Sequence, residues 1–229
     1  MSFNKIFGIG ESRTGTTSLQ VCLQTLGFGP IFNWSSAVNL ILLNKCVFDE
    51  NIYREQVVDM AKKTNGFKDL FWNYKDYYKS LDKAFVGSKF ILTERSADKW
   101  FDSIKRFNIP KKINRMFNHP DWISKMARNP NFMSPFVFKE VIFLISKQRW
   151  NLKGDSLDAL RVSEIDLEKD NMIKAYLDRN NEIKNYFRNR PRDFLVIDWE
   201  QGAGWPEICN FLERPVLESS IPHAHKRKR

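Results

Sequence analysis

The sequence predicts an α/β domain of three layers, with helices on both faces of a central parallel sheet, and three stretches carry that expectation. Residues 5–9, 89–93 and 193–198 are short apolar runs of strand length. The first two lead into stretches with apolar residues at helical spacing, and strands that alternate with helices in this way pair in parallel. The third contains Phe194, Leu195, Val196 and Ile197, four apolar residues in a row, as expected of a strand covered on both faces.

Along the chain, the strand at 5–9 runs into a turn, and residues 16–26 follow as a helix with Leu19, Cys22, Leu23 and Leu26 on one face, closed by Gly27. Helical patterns cover 36–43 and 51–63, the second ending at the turn signal Asn65-Gly66. A short strand is expected at 67–71 and a helix at 74–84, after which Gly87 and Ser88 punctuate the chain before the strand at 89–93 and a helix at 97–105. From 108 to 135 the pattern is broken by Pro110, Pro120, Pro130 and Pro135, which marks residues 108–165 as a lid or substrate region. Helices are expected at 136–150 and 166–188, the second with Ile173, Tyr176, Leu177, Ile183 and Phe187 near helical spacing. After the strand at 193–198, a helix at 205–212 that begins near Pro206 closes the fold.

The 229 residues suffice for one large domain with its own core, and 1–229 is read as a single domain. With 42% hydrophobic and 14% aromatic residues the chain is not disordered, and its aromatic side chains can furnish a core or a substrate cleft. The net charge of +10 draws polyanions. No helix-turn-helix, zinc-finger or RNA-recognition signature accompanies it, and only Lys226 to Arg229 concentrates the charge, so a small, highly charged nucleotide is favoured over nucleic acid or a membrane. Cys22, Cys46 and Cys209 give neither a disulfide framework nor metal-ligand spacing. No signal-peptide pattern or membrane-span window occurs, so a cytoplasmic protein is expected.

The chemistry concentrates in the turn after the first strand. From Gly10 to Thr17 the chain keeps the frame of the phosphate-binding P-loop G-x-x-x-x-G-K-[ST], with Thr16 where the lysine belongs. Such a loop retains the nest of backbone N–H groups and the helix amino end that bind an oxyanion. It lacks the ammonium that reaches the outer phosphates of ATP, and Arg13 is the cation that remains inside the loop. Threonines are good helix caps in any case, but hydroxyls at Thr14, Thr16, Thr17 and Ser18 around Gly15 are denser than capping requires.

The run Arg13-Thr14-Gly15-Thr16-Thr17-Ser18-Leu19 behind a strand resembles the sulfotransferase loop that holds the 5′-phosphosulfate of 3′-phosphoadenosine-5′-phosphosulfate (PAPS). Residues 89–103 resemble that family's other signature, an apolar strand ending in arginine with a serine eight residues on. The closest likeness is to short soluble members with an R-T-G-T-T loop, echoed near the carboxyl end by Asp198, Gly204-Trp205 and Pro222-His223. The resemblance implies a P-loop-NTPase-like fold, PAPS as co-substrate and no metal. It implies that Thr14 to Ser18 supply loop donors, that Arg13 stabilises the leaving phosphate, and that Arg95 and Ser103 grip the 3′-phosphate. The family's base follows the second strand, which points to Asp69 here, with Lys68 as a possible holder of the sulfuryl oxygens. Ser96-Ala97 replaces the usual Asp-Pro, and Ser18 stands where other cytosolic members carry the adenine-stacking tryptophan.

Sulfuryl transfer to a hydroxyl or amine of a small-molecule or glycan acceptor is the resulting expectation. Two rivals stay open: a nucleotide or small-molecule kinase with Asp198 in a Walker-B role, and a non-catalytic module that binds anions or nucleic acid.

Overall fold

A computed structural model describes residues 5–29, 31–32, 55, 57–59, 61–63, 66–68, 76–120, 142–143, 146–147, 150–156, 161 and 164–222. Its strands are β1 (Ile6–Gly8), β2 (Ile31–Phe32), β3 (Gly66–Lys68), β4 (Lys89–Glu94) and β5 (Phe194–Asp198). The α-helices described from end to end are α1 (Thr16–Thr25), α2 (Tyr77–Ala84), α3 (Ala97–Phe107), α4 (Ile109–Phe117), α5 (Lys169–Phe187) and α6 (Trp205–Phe211). All strand pairings are parallel, and the sheet order is β2-β3-β1-β4-β5. The chain passes from β1 to β2 and β3 on one side and crosses from β3 to β4 on the other, so the crevice beyond the carboxyl ends of β1 and β4 is the position where open parallel sheets bind ligands.

The described residues fall into two compact units. The first comprises 1–37, 48–95 and 180–229 and contains the whole sheet. Strand alternation sorts its core into two faces. Ile6, Ile91 and Ile197 point to Leu19, Cys22 and Leu23 of α1 and to Ile208, Cys209 and Trp205 of α6. Phe7 and Phe90, one position along, point the other way, where Phe85, Tyr78, Phe187 and Phe194 form a run of ring contacts; Phe7 and Phe90 stack at 5.2 Å and Phe187 and Phe194 at 4.8 Å. This is the three-layer arrangement the sequence predicts. Cys22 and Cys209 are buried free thiols, and burial together with the neighbouring Cys209 pushes the Cys22 thiol up to about 12, so it stays protonated and inert.

A polar clamp fastens α2 to the segment after α5. Asp82 accepts both ends of the Arg190 guanidinium, at 2.6 and 2.7 Å, and the Tyr186 hydroxyl at 2.7 Å. Burial alone would raise the Asp82 carboxyl, but these two donors and the charge of Arg190 outweigh it and hold the group below its ordinary range.

The second unit comprises 38–47 and 96–179. Its core gathers Trp100, Phe101 and Ile104 of α3 with Trp150, Leu152, Ile165, Met172 and Tyr176, and the Trp100 and Tyr176 rings stack at 4.5 Å. Glu168, 4% exposed, accepts the backbone N–H groups of Lys153 and Gly154, the latter at 2.7 Å, and the Asn171 amide. That carboxylate ties the 151–156 stretch down.

Several expectations change. Pro110 opens α4 instead of breaking the chain, because the first turn of a helix needs no N–H from its second residue. Gly66, read as a turn signal, begins β3. β5 is an edge strand, so only Ile197 of its apolar run is fully buried; one neighbour, β4, cannot cover both of its sides. β4, flanked on both sides, is buried over Lys89–Thr93. The helix read at 36–43 lies outside the described residues, as do 121–141 and 223–229.

Candidate functional site

The loop begins where β1 ends. The Ile9 N–H donates to the Ile91 carbonyl at 2.9 Å, carrying the β1–β4 pairing one residue past the strand. Gly10 then passes so close to β4 that a Cβ there would lie 2.1 Å from Thr93 Oγ1 and 2.6 Å from its backbone nitrogen. The first glycine of the motif is thus fixed by backbone approach.

The turn closes on the Glu11 carbonyl, which accepts the Thr14 N–H at 3.3 Å and the Thr14 hydroxyl at 2.5 Å. The same hydroxyl meets that of Thr93 at 2.6 Å. Thr14 is therefore a latch from loop to sheet; its side chain is buried and turned inward. Arg13 (φ 74°) and Gly15 (φ 94°) both adopt the left-handed conformation, which curls the loop around the amino end of α1. The first helical bond runs from the Leu19 N–H to the Gly15 carbonyl, 3.1 Å. The N–H groups of the opening turn are directed out of the helix end, and no acidic residue sits there to offset its positive pole. Thr16 is buried, while Thr17 and Ser18 are half-buried on this turn.

Beyond β4, Arg95 Nη1 donates to the Arg13 carbonyl at 3.4 Å, and Nη2 pairs with the Glu200 carboxylate. Two stretches 82 residues apart thus meet at the carboxyl edge of the sheet. Glu94, next to Arg95, is neutralised by Lys184 at 2.7 Å. Beyond β5, a turn of 3₁₀ helix (Trp199–Gln201) lays the Trp199 indole on Gly15, where a Cβ would lie 2.4 Å from both Cδ1 and Nε1. The Trp199 indole N–H is buried with no hydrogen-bond partner among the described residues.

Of the residues singled out by sequence, Arg13, Thr14, Gly15, Thr16, Thr17, Ser18 and Arg95 come together in the first unit. Ser103 lies on α3 in the second unit, 6% exposed. Asp69 lies outside the described residues; β3 ends one residue before it, with Lys68 in register with Gly8. Asp198 caps the 3₁₀ turn, its carboxylate accepting the Glu200 N–H at 2.8 Å. Sequence reasoning missed Thr93, Trp199 and Glu200. Thr93 is the next-to-last residue of β4 and the other two follow β5, so all three lie near the carboxyl edge, and applying the ligand-edge rule to every strand would have raised them.

A family model described as a sulfotransferase domain matches residues 5–229. A protein of Aspergillus versicolor named "Ava biosynthesis cluster protein M" is 25% identical over 230 residues, covering 96% of this chain and 80% of the relative. Among the described residues, no helix is long and apolar enough to cross a membrane.

Proposed function

Because the chain belongs to the sulfotransferase-domain family, we propose that it transfers a sulfuryl group from PAPS to a hydroxyl or amine acceptor, with 1–229 working as one catalytic domain. The observation that carries this is the bond from Arg95 to the Arg13 carbonyl, which puts a guanidinium and an anion-binding helix end on one sheet edge. The residues present fit a doubly phosphorylated adenine nucleotide. The α1 amino end has no acid in its first turn, the Arg95 guanidinium reaches the loop that leads into it, and the Trp199 N–H, without a hydrogen-bond partner among the described residues, lies against Gly15.

PAPS, when bound, supplies an activated sulfuryl group. The backbone N–H groups of Gly15 to Ser18 hold its 5′ end, aided by the Thr16 and Thr17 hydroxyls and by Ser18. Arg13 places positive charge where the leaving phosphate gains negative charge, the kind of pre-set electrostatic stabilisation that supplies much of enzymatic rate enhancement. Arg95 and Ser103 take the 3′-phosphate. Asp69 accepts the acceptor's proton as the new bond forms, which requires hydrogen-bond reach and a carboxyl poised by its surroundings. The 108–165 region supplies acceptor contacts. The relative's printed name, a biosynthesis cluster protein, supports a small-molecule acceptor. Buried free thiols at Cys22 and Cys209 suit a cytoplasmic setting.

The kinase alternative loses support from Asp198, whose carboxylate caps a turn, and from Thr16 in the lysine position. The test is transfer of label from radioactive PAPS to a panel of alcohols, phenols, amines and sugars. Labelled sulfated product is expected. Absence of transfer across the panel, combined with tight magnesium-dependent ATP binding, would overturn the proposal in favour of the kinase.

A further inference from the structure

The Arg95 guanidinium donates to acceptors of different kinds. One is neutral and belongs to the loop, the Arg13 carbonyl. Another is charged, the Glu200 carboxylate, delivered by the 3₁₀ turn after β5. Both partners of the ion pair are shielded, with side chains 25% and 26% exposed. Glu200 is held in place from its own side, since its N–H donates to Asp198 at 2.8 Å and the adjacent Trp199 packs on Gly15. A carboxylate and a phosphate are alike in what they ask of a guanidinium: two oxygens, a planar fork of N–H donors and an opposite charge.

We infer that Glu200 is an affinity-determining residue that competes with the nucleotide's 3′-phosphate for the Arg95 guanidinium. The inference rests on the PAPS reading and goes beyond it by assigning a function to a side chain that the loop and arginine motifs do not include. A 3′-phosphate that binds Arg95 must displace the carboxylate from Nη2 or share the guanidinium with it at close range, and both cost affinity. A nucleotide without a 3′-phosphate leaves the pair intact. Glu200 therefore lowers the preference for 3′-phosphorylated nucleotides, which limits how tightly the bisphosphate product is retained.

The test is calorimetric titration of adenosine 3′,5′-bisphosphate and of adenosine 5′-monophosphate into the wild-type protein, Glu200→Gln, Arg95→Gln and the double variant. Glutamine keeps the shape and removes the charge, and Glu200→Ala serves as a second neutral variant should the amide rebuild the contact. The expected result is bisphosphate binding about fivefold tighter in Glu200→Gln, on the scale of a partly exposed ion pair. Monophosphate binding stays unchanged, and the gain disappears in the Arg95→Gln background. Equal affinity for the two nucleotides in the wild type and in both neutral variants would overturn the assignment of Arg95 to the 3′-phosphate, and the inference with it. A wild-type preference for the bisphosphate that is unchanged or reduced in both neutral variants would overturn the inference alone and make Glu200 a support that positions Arg95.

Discussion

Replacing Gly15 by alanine strikes the loop at its tightest point. At φ 94° an L-residue pays for a left-handed backbone, about 1–2 kcal/mol. The added Cβ also lies 2.4 Å from Trp199 Cδ1 and Nε1, inside contact distance, so the indole must move; overpacking of this kind costs about 1–3 kcal/mol. The sum is a loss of about 2–5 kcal/mol. Urea denaturation reads it as a lower midpoint with an unchanged slope. The cause is isolated by a double-mutant cycle with Trp199→Ala. Without the indole, Gly15→Ala retains only the backbone cost, and the coupling between the sites is about 1–3 kcal/mol. A Gly15→Ala protein within about 0.5 kcal/mol of wild type, or the same cost in both backgrounds, would refute the placement of Trp199 on the loop.

Three further outcomes are expected. Arg13→Ala lowers sulfuryl transfer about a hundred- to a thousandfold in steady-state kinetics, with Arg13→Lys in between, because charge at the leaving phosphate matters more in the transition state than in binding. Asp82→Asn destabilises by about 1–2 kcal/mol at neutral pH, discounted because the Arg190 side chain is 36% exposed. Since the Asp82 carboxyl is depressed on folding, its contribution is present above the ordinary carboxylate value and lost as pH falls through the folded one. Thermal melts below about pH 4 should therefore show the variant's deficit shrinking. Glu168→Ala removes the acceptor of the Lys153 and Gly154 N–H groups and costs about 2–3 kcal/mol, read by thermal melting together with faster proteolysis at 151–156.

What the sequence made legible was local. The apolar run at Ile6, the Gly10 and Gly15 frame and the Leu19, Cys22, Leu23 face of α1 are short-range patterns, and strand, turn and helix appear where those patterns place them. Arg95 drew notice in the sequence because it directly follows an apolar strand, and residues there lie at the ligand edge. What escaped depends on pairings across many positions. The Thr14–Thr93 hydroxyl contact spans 79 residues and the Arg95–Glu200 pair 105, and neither has a sequence period to announce it. The edge position of β5 is set by strand order, which four consecutive apolar residues do not encode. Thr14 shows the same limit on a smaller scale. Its place in a hydroxyl cluster suggests a ligand donor, whereas the fold turns its side chain inward.

The central claim is that one adenine nucleotide spans the α1 amino end and Arg95. A crystal structure with adenosine 3′,5′-bisphosphate bound tests it most directly. The expected result places the 5′-phosphate at the N–H groups of Gly15 to Ser18 and the 3′-phosphate on the Arg95 guanidinium. A nucleotide bound away from this edge, or one whose 3′-phosphate leaves Arg95 untouched, would contradict it.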